Sequence, residues 1–492
     1  MSTPNSQLPT PKVLRVARLR ILWELGVGDW ELSAPRSARL LRKIMRRIIL
    51  FLLLSLTVAG HPFAQQPAPA AKNEPLTLAI VGGRLIDGHG GPPLENSVIL
   101  ISGSRIAKIG TTDTLPVPAG IKTVSSDGMT VLPGLIDMHV HFMVIGHNDY
   151  GFWFPYARSR SKEIMDLSAR ILLSLGVTTV KDCAGPIPEI VQLRDAINKG
   201  EKPGPRAVVT GPFLQRTNSP ASDYLYWSVA SLDEARQKLK LLLDAGVDQI
   251  KTAQSSQLGP EIVKFIVSET HKAGKHITAH VNSDEDMRVL LDAGVDARDT
   301  FEHVGGGSAP RFDADLVEKL RSSGVGLVPT MIALEGIVQL ERFPEYAHDP
   351  SVFRDLPPDL YKLVRESYVD IQRHPLYERG KFGMATRRAK LRQLHEEGLQ
   401  ILMGTDSGTR GNPHELAAWR EMEIMTEYGL TPMEVIRAAT YHNARNLGML
   451  NQIGSVAPGK QADIIVVDGD PLTSIREIRR VAHVVKNGAV VR

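Results

Sequence analysis

The sequence is short of cysteine, of surplus charge and of long apolar runs, and each shortage argues against a class of protein. Its 492 residues include one cysteine, Cys183, so an intramolecular disulfide is impossible. The formal net charge is +4, but residues 1–50 hold ten basic and three acidic side chains, a surplus of seven. The rest of the chain therefore carries about −3, which predicts no basic surface for nucleic acid. The uncharged run at 48–60 is shorter than the roughly 20 residues of a membrane span.

The composition is that of a folded globular protein. Hydrophobic residues make up 42% of the chain and charged residues 23%, which disordered and fibrous proteins do not match. The length allows one large domain or two to three smaller ones.

Residues 1–64 are predicted to be a signal or leader region. Residues 39–47 are basic, the run at 48–60 is apolar, and the small residue Ala64 precedes a polar stretch. This order is typical of a secretory signal, which predicts a periplasmic or secreted location for the rest of the protein. Residues 65–75, rich in proline and alanine, are expected to be a linker.

Two alternatives stay open for this region. Met45 begins a compact signal by itself, so translation starts either there or at Met1. An uncleaved segment would anchor the protein to the membrane, whereas a cleaved signal would release it. In both cases, contact with the membrane is expected only through the N-terminal segment.

Short β-rich segments bracket the remainder of the chain. Residues 76–132 contain strands with a period of two that are joined by glycine-bearing turns, and the same pattern returns in residues 448–492. We expect the two segments to form one small β-sandwich built from both ends of the chain.

Residues 133–447 alternate between candidate strands and amphipathic helices. Eight strands alternating with helices predict an α/β protein with a parallel (β/α)8, or TIM, barrel. A charged segment at about 333–398 is too long for a plain loop, so we expect a helical insertion over the barrel mouth. The candidate strands are 135–142, 177–183, 206–213, 247–253, 276–282, 297–304, 326–332 and 401–406.

Residue types that bind metals gather at the carboxyl ends of these strands, where barrels hold their active sites. His139 and His141 are two residues apart, so both side chains face the same side of the first strand. Two imidazoles on one face are suited to bind a divalent cation, although solvated histidines produce the same pattern. The candidates on later strands are Lys251, His280, His303 and Asp406.

The motifs around these residues resemble those of the amidohydrolase superfamily. PGLIDMHVHF is similar to the first-strand motif of that superfamily, and VDQIKTA, ITAHV, FEHVG and LMGTDSG resemble its fourth, fifth, sixth and eighth motifs, in the same order. GSVAPGKQADIIVVDGDP resembles the segment that leads back into the small β-sandwich. The resemblance covers about residues 76–492 and is greatest to the branch of imidazolonepropionase-like proteins and metal-dependent Xaa-Pro dipeptidases.

The resemblance implies a site for two divalent metal ions, with zinc the expected metal. The implied ligands are His139, His141 and Asp406 for the more buried ion, and His280 and His303 for the more exposed one. Lys251 would bridge the two ions as a carbamate formed with carbon dioxide, because an ammonium group has no lone pair to offer a cation. The alternative is an ordinary, ion-paired Lys251 beside a single metal ion.

Catalysis is then expected to depend on Asp406. Two cations would lower the pKa of a shared water until hydroxide forms near neutral pH. Asp406 would take a proton as this hydroxide attacks the substrate carbonyl, and would pass it to the leaving nitrogen. The alternative is that Asp406 only caps the helix that follows it.

Four residues are candidates for substrate binding. Arg216, Tyr224 and Tyr226 lie in the loop after the third strand, and His414 lies near a helix start in NPHELAAW. They would contact a substrate carboxylate or the rim of the site, or else belong to the surface. Asp182, at the end of the second strand, faces the same rim, but a role within a turn fits it equally well.

Together these features predict an exported metal-dependent amidohydrolase that hydrolyses an amide C–N bond of a small peptide or N-acyl amino acid. One alternative keeps the fold but uses a single metal ion on a cyclic amide or in deamination. The other is a barrel without catalysis that is used for binding. The expected partner is a small-molecule or dipeptide-like substrate, and the formation of homo-oligomers stays open.

Overall fold

The computed structural model of the protein describes residues 75–217, 222–342, 355–368 and 375–492. The predicted leader and all of the linker except Pro75 lie outside the described residues, as do two stretches of the expected insertion. Among the helices that are described, none is both long and apolar enough to cross a membrane.

Strands and helices alternate through most of the described chain. The strands are β1 Leu76–Val81, β2 Arg84–Leu85, β3 Ser97–Ser102, β4 Arg105–Thr111, β5 Lys122–Ser125, β6 Thr130–Pro133, β7 Leu135–Val140, β8 Val177–Asp182, β9 Arg206–Val209, β10 Phe213–Gln215, β11 Tyr226–Ser228, β12 Gln249–Ala253, β13 His276–His280, β14 Thr300–Glu302, β15 Gly326–Val328, β16 Ile464–Val467, β17 Val481–Lys486 and β18 Ala489–Val490. The α-helices are α1 Tyr150–Ser159, α2 Ser161–Ser174, α3 Glu189–Asn198, α4 Leu232–Asp244, α5 Ser255–Leu258, α6 Pro260–Lys272, α7 Asp284–Asp292, α8 Ala314–Ser323, α9 Ile332–Arg342, α10 Pro358–Glu366, α11 Pro375–Glu396, α12 His414–Glu427, α13 Pro432–Arg437 and α14 Asn443–Asn446.

Helix α4 shows why these segments are helical. Its first turn is capped by Ser231, whose side chain accepts a hydrogen bond from the Glu234 backbone N–H. Ala235, Leu239 and Leu242 follow at helical spacing, and all three are buried. The apolar stripe therefore faces the strands while the charged positions face solvent.

Strands from both ends of the described chain form two small sheets. One sheet has the order β4-β3-β1-β5 and the other β18-β17-β16-β6-β2. Strand β6 pairs antiparallel with β16, which places Val131 opposite Val466. Val131, Val466 and Ile464 share one buried cluster with Ile80 and Ile99 of the first sheet. The core of the small sheets therefore depends on residues that are more than 300 positions apart in the sequence.

The central strands are parallel and alternate with helices. Strands β7, β8 and β9 form one parallel sheet, and β10, β12, β13, β14 and β15 lie side by side in another. The backbone N–H of Asp248 donates to Val209 O at 2.8 Å and links the two sheets. This is a TIM-barrel-like α/β fold, which the sequence pattern predicts.

Two of the expected strands differ from their predicted form. The third is split into β9, which pairs with β8, and β10, which pairs with β12. Gly211, with φ of +67°, and Pro212, which has no N–H to donate, lie at the break. The expected strand at 401–406 is instead reduced to isolated bridges at Ile401 and Ser407.

Asp137 explains why this last segment is not a regular strand. Its carboxylate accepts hydrogen bonds from the Thr405 backbone N–H at 3.1 Å and from Thr405 Oγ1 at 2.7 Å. Asp406 then has φ of +59°, which turns its backbone out of the extended conformation. The segment still donates from Leu402 N to Leu327 O and from Asp406 N to His139 O, so it connects β15 to β7.

The described parts of the expected insertion are helical and pack against the loops at the strand ends. In α11, Lys390 Nζ donates to Gly306 O at 2.6 Å, and Gln393 exchanges hydrogen bonds of 2.8 and 3.0 Å with the backbone of Phe312. These contacts fix α11 against the loop that follows β14. Arg387 lies one turn before Lys390 on the same face of the helix.

Helix α12 is held to the segment after β15 by a buried acid. The Glu421 carboxyl group is fully buried and accepts hydrogen bonds from the backbone N–H groups of Met331 and Ile332, at 3.0 and 2.7 Å. Burial raises the pKa of Glu421 from 4.5 to about 8.

We expect this raised pKa to make the free energy of unfolding fall as the pH rises from about 4.5 to 8. In that window the folded protein keeps a proton on Glu421 that the unfolded chain has released, so the folded state binds more protons. The contribution is at most about 1.4 kcal/mol per pH unit. Glu421→Gln should remove it, and the exposed control Glu261→Gln should not. Equal slopes for all three proteins in urea unfolding between pH 5 and 8 would contradict the assignment.

Candidate active site

The six predicted metal-binding residues lie together at the carboxyl ends of the parallel strands. The ring centroids of His139 and His141 are 5.2 Å apart, and those of His280 and His303 are 4.2 Å apart. The rings of His139 and His303 lie 4.7 Å apart and join the two pairs. Four imidazoles from three strand ends therefore form one continuous cluster.

Asp406 is central to this cluster. Its Oδ1 lies 2.9 Å from His141 Nε2 and 3.4 Å from His139 Nε2, and its Oδ2 lies 4.0 Å from His303 Nδ1. One ligand atom each from His139, His303 and Asp406 falls within 4.8 Å of the others. Two imidazoles and a carboxylate at this spacing are a donor set that zinc prefers.

Two of these residues have a backbone conformation that side chains rarely adopt. His303 has φ of +62° and Asp406 has φ of +59°, both in the left-handed region. Such conformations cost on the order of 1–3 kcal/mol each and persist only where the surroundings hold them. Asn412 Nδ2 donates to Thr405 O and Asp406 O at 2.9 and 3.0 Å, and Thr330 Oγ1 lies 2.7 Å from His303 Nδ1. These backbone conformations direct the side chains of His303 and Asp406 toward the cluster.

Two buried nitrogens in the cluster bear on whether these residues could hold a metal ion. Within the described part of the chain, His139 Nε2 and Lys251 Nζ are buried and have no hydrogen-bond partner. An unpartnered polar group in the interior costs free energy, so such atoms call for a ligand. His139 Nδ1 is already bound to Glu302 Oε2 at 2.7 Å, which leaves Nε2 to face Asp406. The residues therefore fit at least one divalent metal ion.

The electrostatics favour neutral histidines at this position. Burial, reinforced by nearby Lys251 and the other histidines, lowers the pKa of His139 and of His303 well below the usual value. Burial and Lys251 also lower the pKa of His280 to about 4. Neutral imidazole is the form that binds a metal ion, so these ligands need lose no proton at neutral pH.

Lys251 is fully buried in β12, and its Nζ lies 5.2 Å from the centroid of the Phe213 ring. Burial lowers the pKa of its amine, so the neutral form with a free lone pair is more accessible than in an exposed lysine. A neutral amine is the form that reacts with an electrophile such as carbon dioxide.

The cluster opens into a cavity of about 260 Å³. Aromatic and apolar side chains form much of its wall, and two arginines supply positive charge. Besides His141, His280, His303 and Asp406, the lining residues are Tyr150, Phe213, Tyr226, Asn282, Ala333, Leu334, Ile337, Arg387, Thr409 and Arg410.

Of the four predicted substrate-binding residues, the structure brings Tyr226 into the cavity lining. Arg216 instead donates to the Ala230 carbonyl at 2.9 Å, and Tyr224 donates to the Phe154 carbonyl at 3.0 Å. His414 is buried, and its Nδ1 lies 2.7 Å from Ser407 Oγ. These three residues are therefore absent from the lining of the cavity, and each has a hydrogen-bond partner outside it.

Asp182 has a role within a turn. Its carboxyl group is buried and accepts hydrogen bonds from the backbone N–H groups of Phe142 and Ala184, at 2.7 and 3.2 Å. Burial raises its pKa to about 7. It therefore supports the loop that carries His141.

Two arginines that line the cavity, Arg387 and Arg410, are not among the residues predicted from the sequence. Arg410 follows Asp406 by four residues, and its guanidinium carbon stacks 3.5 Å from the Tyr150 ring centroid while Nε donates to Asn148 O. Arg410 follows the expected strand at 401–406, and this position could have marked it as a candidate because barrel active sites lie in the loops after the strands. Arg387 comes from α11, where the neighbouring Arg388 and Arg392 make it one of several similar residues. Nothing in the sequence distinguishes it.

The sequence profile of the amidohydrolase family matches residues 130–491, which is well over half of the chain. The chain belongs to the amidohydrolase family. This confirms the resemblance that the five strand motifs indicate.

Relatives of this amidohydrolase support the same assignment. It is 27% identical to ochratoxinase of Aspergillus niger over 494 aligned positions, which cover 88% of this chain and 93% of that one. It is 22% identical to imidazolonepropionase of Shouchella clausii, over 81% of this chain and 86% of that one. A solved structure of a candidate prolidase from Bifidobacterium longum matches with a TM-score of 0.67 and 29% identity, over 85% of this chain and 95% of that one. This amidohydrolase is an enzyme of the class that acts on C–N bonds.

Proposed function

We propose that this amidohydrolase is an exported, metal-dependent enzyme that hydrolyses the amide C–N bond of a small peptide or N-acyl amino acid. The observation that carries the proposal is a cluster of four histidines, Lys251 and Asp406 beside a cavity. Three of these histidines and Asp406 line the cavity together with two arginines, while His139 and Lys251 are buried behind them. The proposal includes a complete (β/α)8 barrel over residues 133–447, with a β-sandwich formed by residues 76–132 and 448–492. The parallel central strands and the shared core of the two small sheets support this organisation.

Two divalent cations, with zinc the expected metal, would be held by His139, His141, Lys251, His280, His303 and Asp406. When bound, such cations lower the pKa of water and polarise a carbonyl group. Lys251 would take part as a carbamate, formed when its neutral amine adds carbon dioxide and releases one proton. The unpartnered, buried Nζ supports this modification, since a carbamate carries two oxygens that can bind cations.

Asp406 would transfer the proton that hydrolysis moves from the attacking water to the leaving nitrogen. Its carboxylate lies beside three imidazoles and also lines the cavity, so it is within reach of the substrate. It would accept a proton from the attacking water and donate it to the nitrogen of the broken C–N bond. The left-handed backbone at Asp406 holds the carboxylate in this position.

Arg387 and Arg410 would select substrates with a free carboxylate. Both line the cavity, and among its described lining residues the carboxylate is that of Asp406, which belongs to the proposed metal site. Guanidinium groups bind carboxylates well, and Phe213 and Tyr226 offer apolar surface to the rest of a substrate. A solved structure of a Xaa-Pro dipeptidase (TM-score 0.66, 24% identity, over 84% of this chain and 99% of that one) shows the same fold.

The proposal is tested with a library of dipeptides and N-acyl amino acids, each assayed with a free and with an amidated carboxyl end. Metal content of the purified enzyme is measured in parallel. We expect two metal ions per chain and hydrolysis of members with a free carboxylate. One metal ion with activity on cyclic amides or amino-substituted rings would favour the single-metal alternative, and a metal-free, inactive protein would favour a binding function.

Arg410→Met and Arg387→Met should each raise KM for a carboxylate substrate by roughly 10–100-fold. The reason is that a hydrogen bond to a charged group contributes about 1.5–3 kcal/mol. The amidated analogue should show a much smaller change. Arg392→Met, an exposed position on α11, is the matched control and should leave KM unchanged. An equal rise in KM for the free-carboxylate and the amidated substrate would indicate that the arginines stabilise the structure and do not bind the substrate carboxylate.

Export is a separate part of the proposal, and it depends on the basic, apolar and small-residue order before Gln65. Residues 45–75 fused to a reporter that is active only outside the cytoplasm should give signal, and the mature chain should begin near Gln65. Replacing the apolar run at 48–60 with polar residues is the control and should abolish the signal. Activity confined to the cytoplasm, with an intact N-terminus, would contradict export.

A further inference from the structure

Beneath the cluster, a buried carboxylate binds both a proposed metal ligand and a lysine. Glu302 Oε2 lies 2.7 Å from His139 Nδ1, while its Oε1 accepts from Lys181 Nζ at 2.7 Å and from Thr300 Oγ1 at 2.5 Å. The side chains of His139, Glu302 and Lys181 have no exposed surface. Three strands, β7, β8 and β14, supply this network.

We infer that Glu302 and Lys181 are positioning residues that hold His139 in the single tautomer able to bind a cation. The inference rests on the proposed metal site. A carboxylate only accepts hydrogen bonds, so Nδ1 of His139 must carry the proton and Nε2 must carry the lone pair. Nε2 is the unpartnered atom that lies 3.4 Å from Asp406 Oδ1. The network therefore presents the lone pair where the other ligands converge.

Lys181 sets the orientation of Glu302. An ammonium group only donates, so Oε1 is held on the side of Lys181 and Thr300, and Oε2 is left for His139. Lys181 also supplies the opposite charge that a fully buried carboxylate requires. Partners of this kind orient metal-binding histidines, and losing one typically costs about 10–100-fold in metal affinity.

The described chain also contains a histidine–carboxylate pair that lacks these features. His271 Nε2 lies 2.9 Å from Oδ2 of Asp299, the residue immediately before β14. His271 is partly exposed, and it is not one of the proposed ligands. A histidine–carboxylate pair by itself is thus an ordinary structural contact. The buried, unpartnered Nε2 beside Asp406 distinguishes His139 from it.

Glu302→Gln tests the inference because it reverses the donor pattern. The glutamine oxygen must face Lys181, so its NH2 group faces His139 Nδ1 and favours the tautomer with the proton on Nε2. We expect the affinity of the metal-stripped full chain for zinc, measured by competition with a chelating dye, to fall by about 10–100-fold. Lys181→Met should lower it as well. Glu421→Gln, the control at a buried carboxyl group that accepts from the backbone of Met331 and Ile332, should leave zinc affinity unchanged even where it changes the melting temperature.

Thr300→Val keeps the inference testable if Glu302→Gln fails to fold. It removes one hydrogen bond to Oε1 and should weaken zinc binding by a smaller factor than Glu302→Gln. If Glu302→Gln folds and its zinc affinity is unchanged, the positioning role is wrong, although the metal site stands. If only Thr300→Val folds, unchanged zinc affinity in that variant leads to the same conclusion. A parent enzyme that binds no zinc overturns the proposed function itself.

Discussion

Asp406→Asn should lower kcat by at least about a hundredfold while the metal content and melting temperature change much less. Asparagine keeps the size of the side chain and one oxygen, but it cannot accept a proton. Positioned proton transfer contributes on the order of 10²–10⁴-fold to a rate. The local backbone is held by Asn412 and by the Asp137–Thr405 contacts, none of which uses the Asp406 carboxylate. The variant should therefore fold.

The matched control is Asp313→Asn, which changes an aspartate that caps α8 away from the cavity. Asparagine is an equally good cap, so kcat and stability should stay near those of the parent. Metal content, melting temperature and kcat are measured for all three proteins. If Asp406→Asn retains more than about a tenth of the parental kcat with its metals in place, Asp406 is not the proton carrier. His280, which lines the cavity, would then be tested next, since His414 is buried and lies outside the lining.

Lys251→Ala should lose most of the activity and at least one metal ion per chain. The loss should exceed the roughly 10–100-fold that follows removal of an outer partner of a metal ligand, because a bridging ligand binds directly. Acetate or propionate should partly restore metal binding and activity, since a short carboxylate would occupy the vacated volume and replace the carbamate oxygens. Metal content and kcat are measured with and without the added acid.

Lys251→Met separates the bridging role from simple burial. Methionine fills the space that the lysine stem occupies beside Phe213 but offers no oxygen and leaves no room for an acid. It should lose activity without rescue by acetate. A Lys251→Ala enzyme that keeps two metal ions and a near-normal rate would show that Lys251 does not bridge metal ions.

The strand-end residues were predictable because one structural rule controls them. In a parallel sheet the carboxyl ends of the strands meet, so His139, Lys251 and His303 could be assigned to one place without knowing any contact between them. The segment 401–406 was harder, because its departure from a regular strand depends on hydrogen bonds from Thr405 to Asp137. Those bonds join positions 268 residues apart, which a local pattern does not show.

Substrate-binding residues were the least predictable part of the site. Arg216 and Arg410 are both arginines in loops after strands, and the sequence pattern does not separate them. In the folded protein Arg216 turns to the Ala230 carbonyl, whereas Arg410 stacks on Tyr150 at the cavity. The direction of a long, flexible side chain depends on which acceptors and rings surround it, and those come from distant parts of the chain.

The sequence by itself determined the family, the TIM-barrel-like fold and the group of residues proposed to bind metal, because each follows from local periodicity or from short motifs in a set order. Only the tertiary structure decided which nitrogen of His139 faces Asp406, and that α11 delivers Arg387 to the cavity. The partner that orients His139 is Glu302, 163 residues away, and it is visible in FEHVG only as a neighbour of His303. Hydrogen-bond direction, tautomer and side-chain orientation are properties of contacts, and contacts between distant segments exist only once the chain has folded.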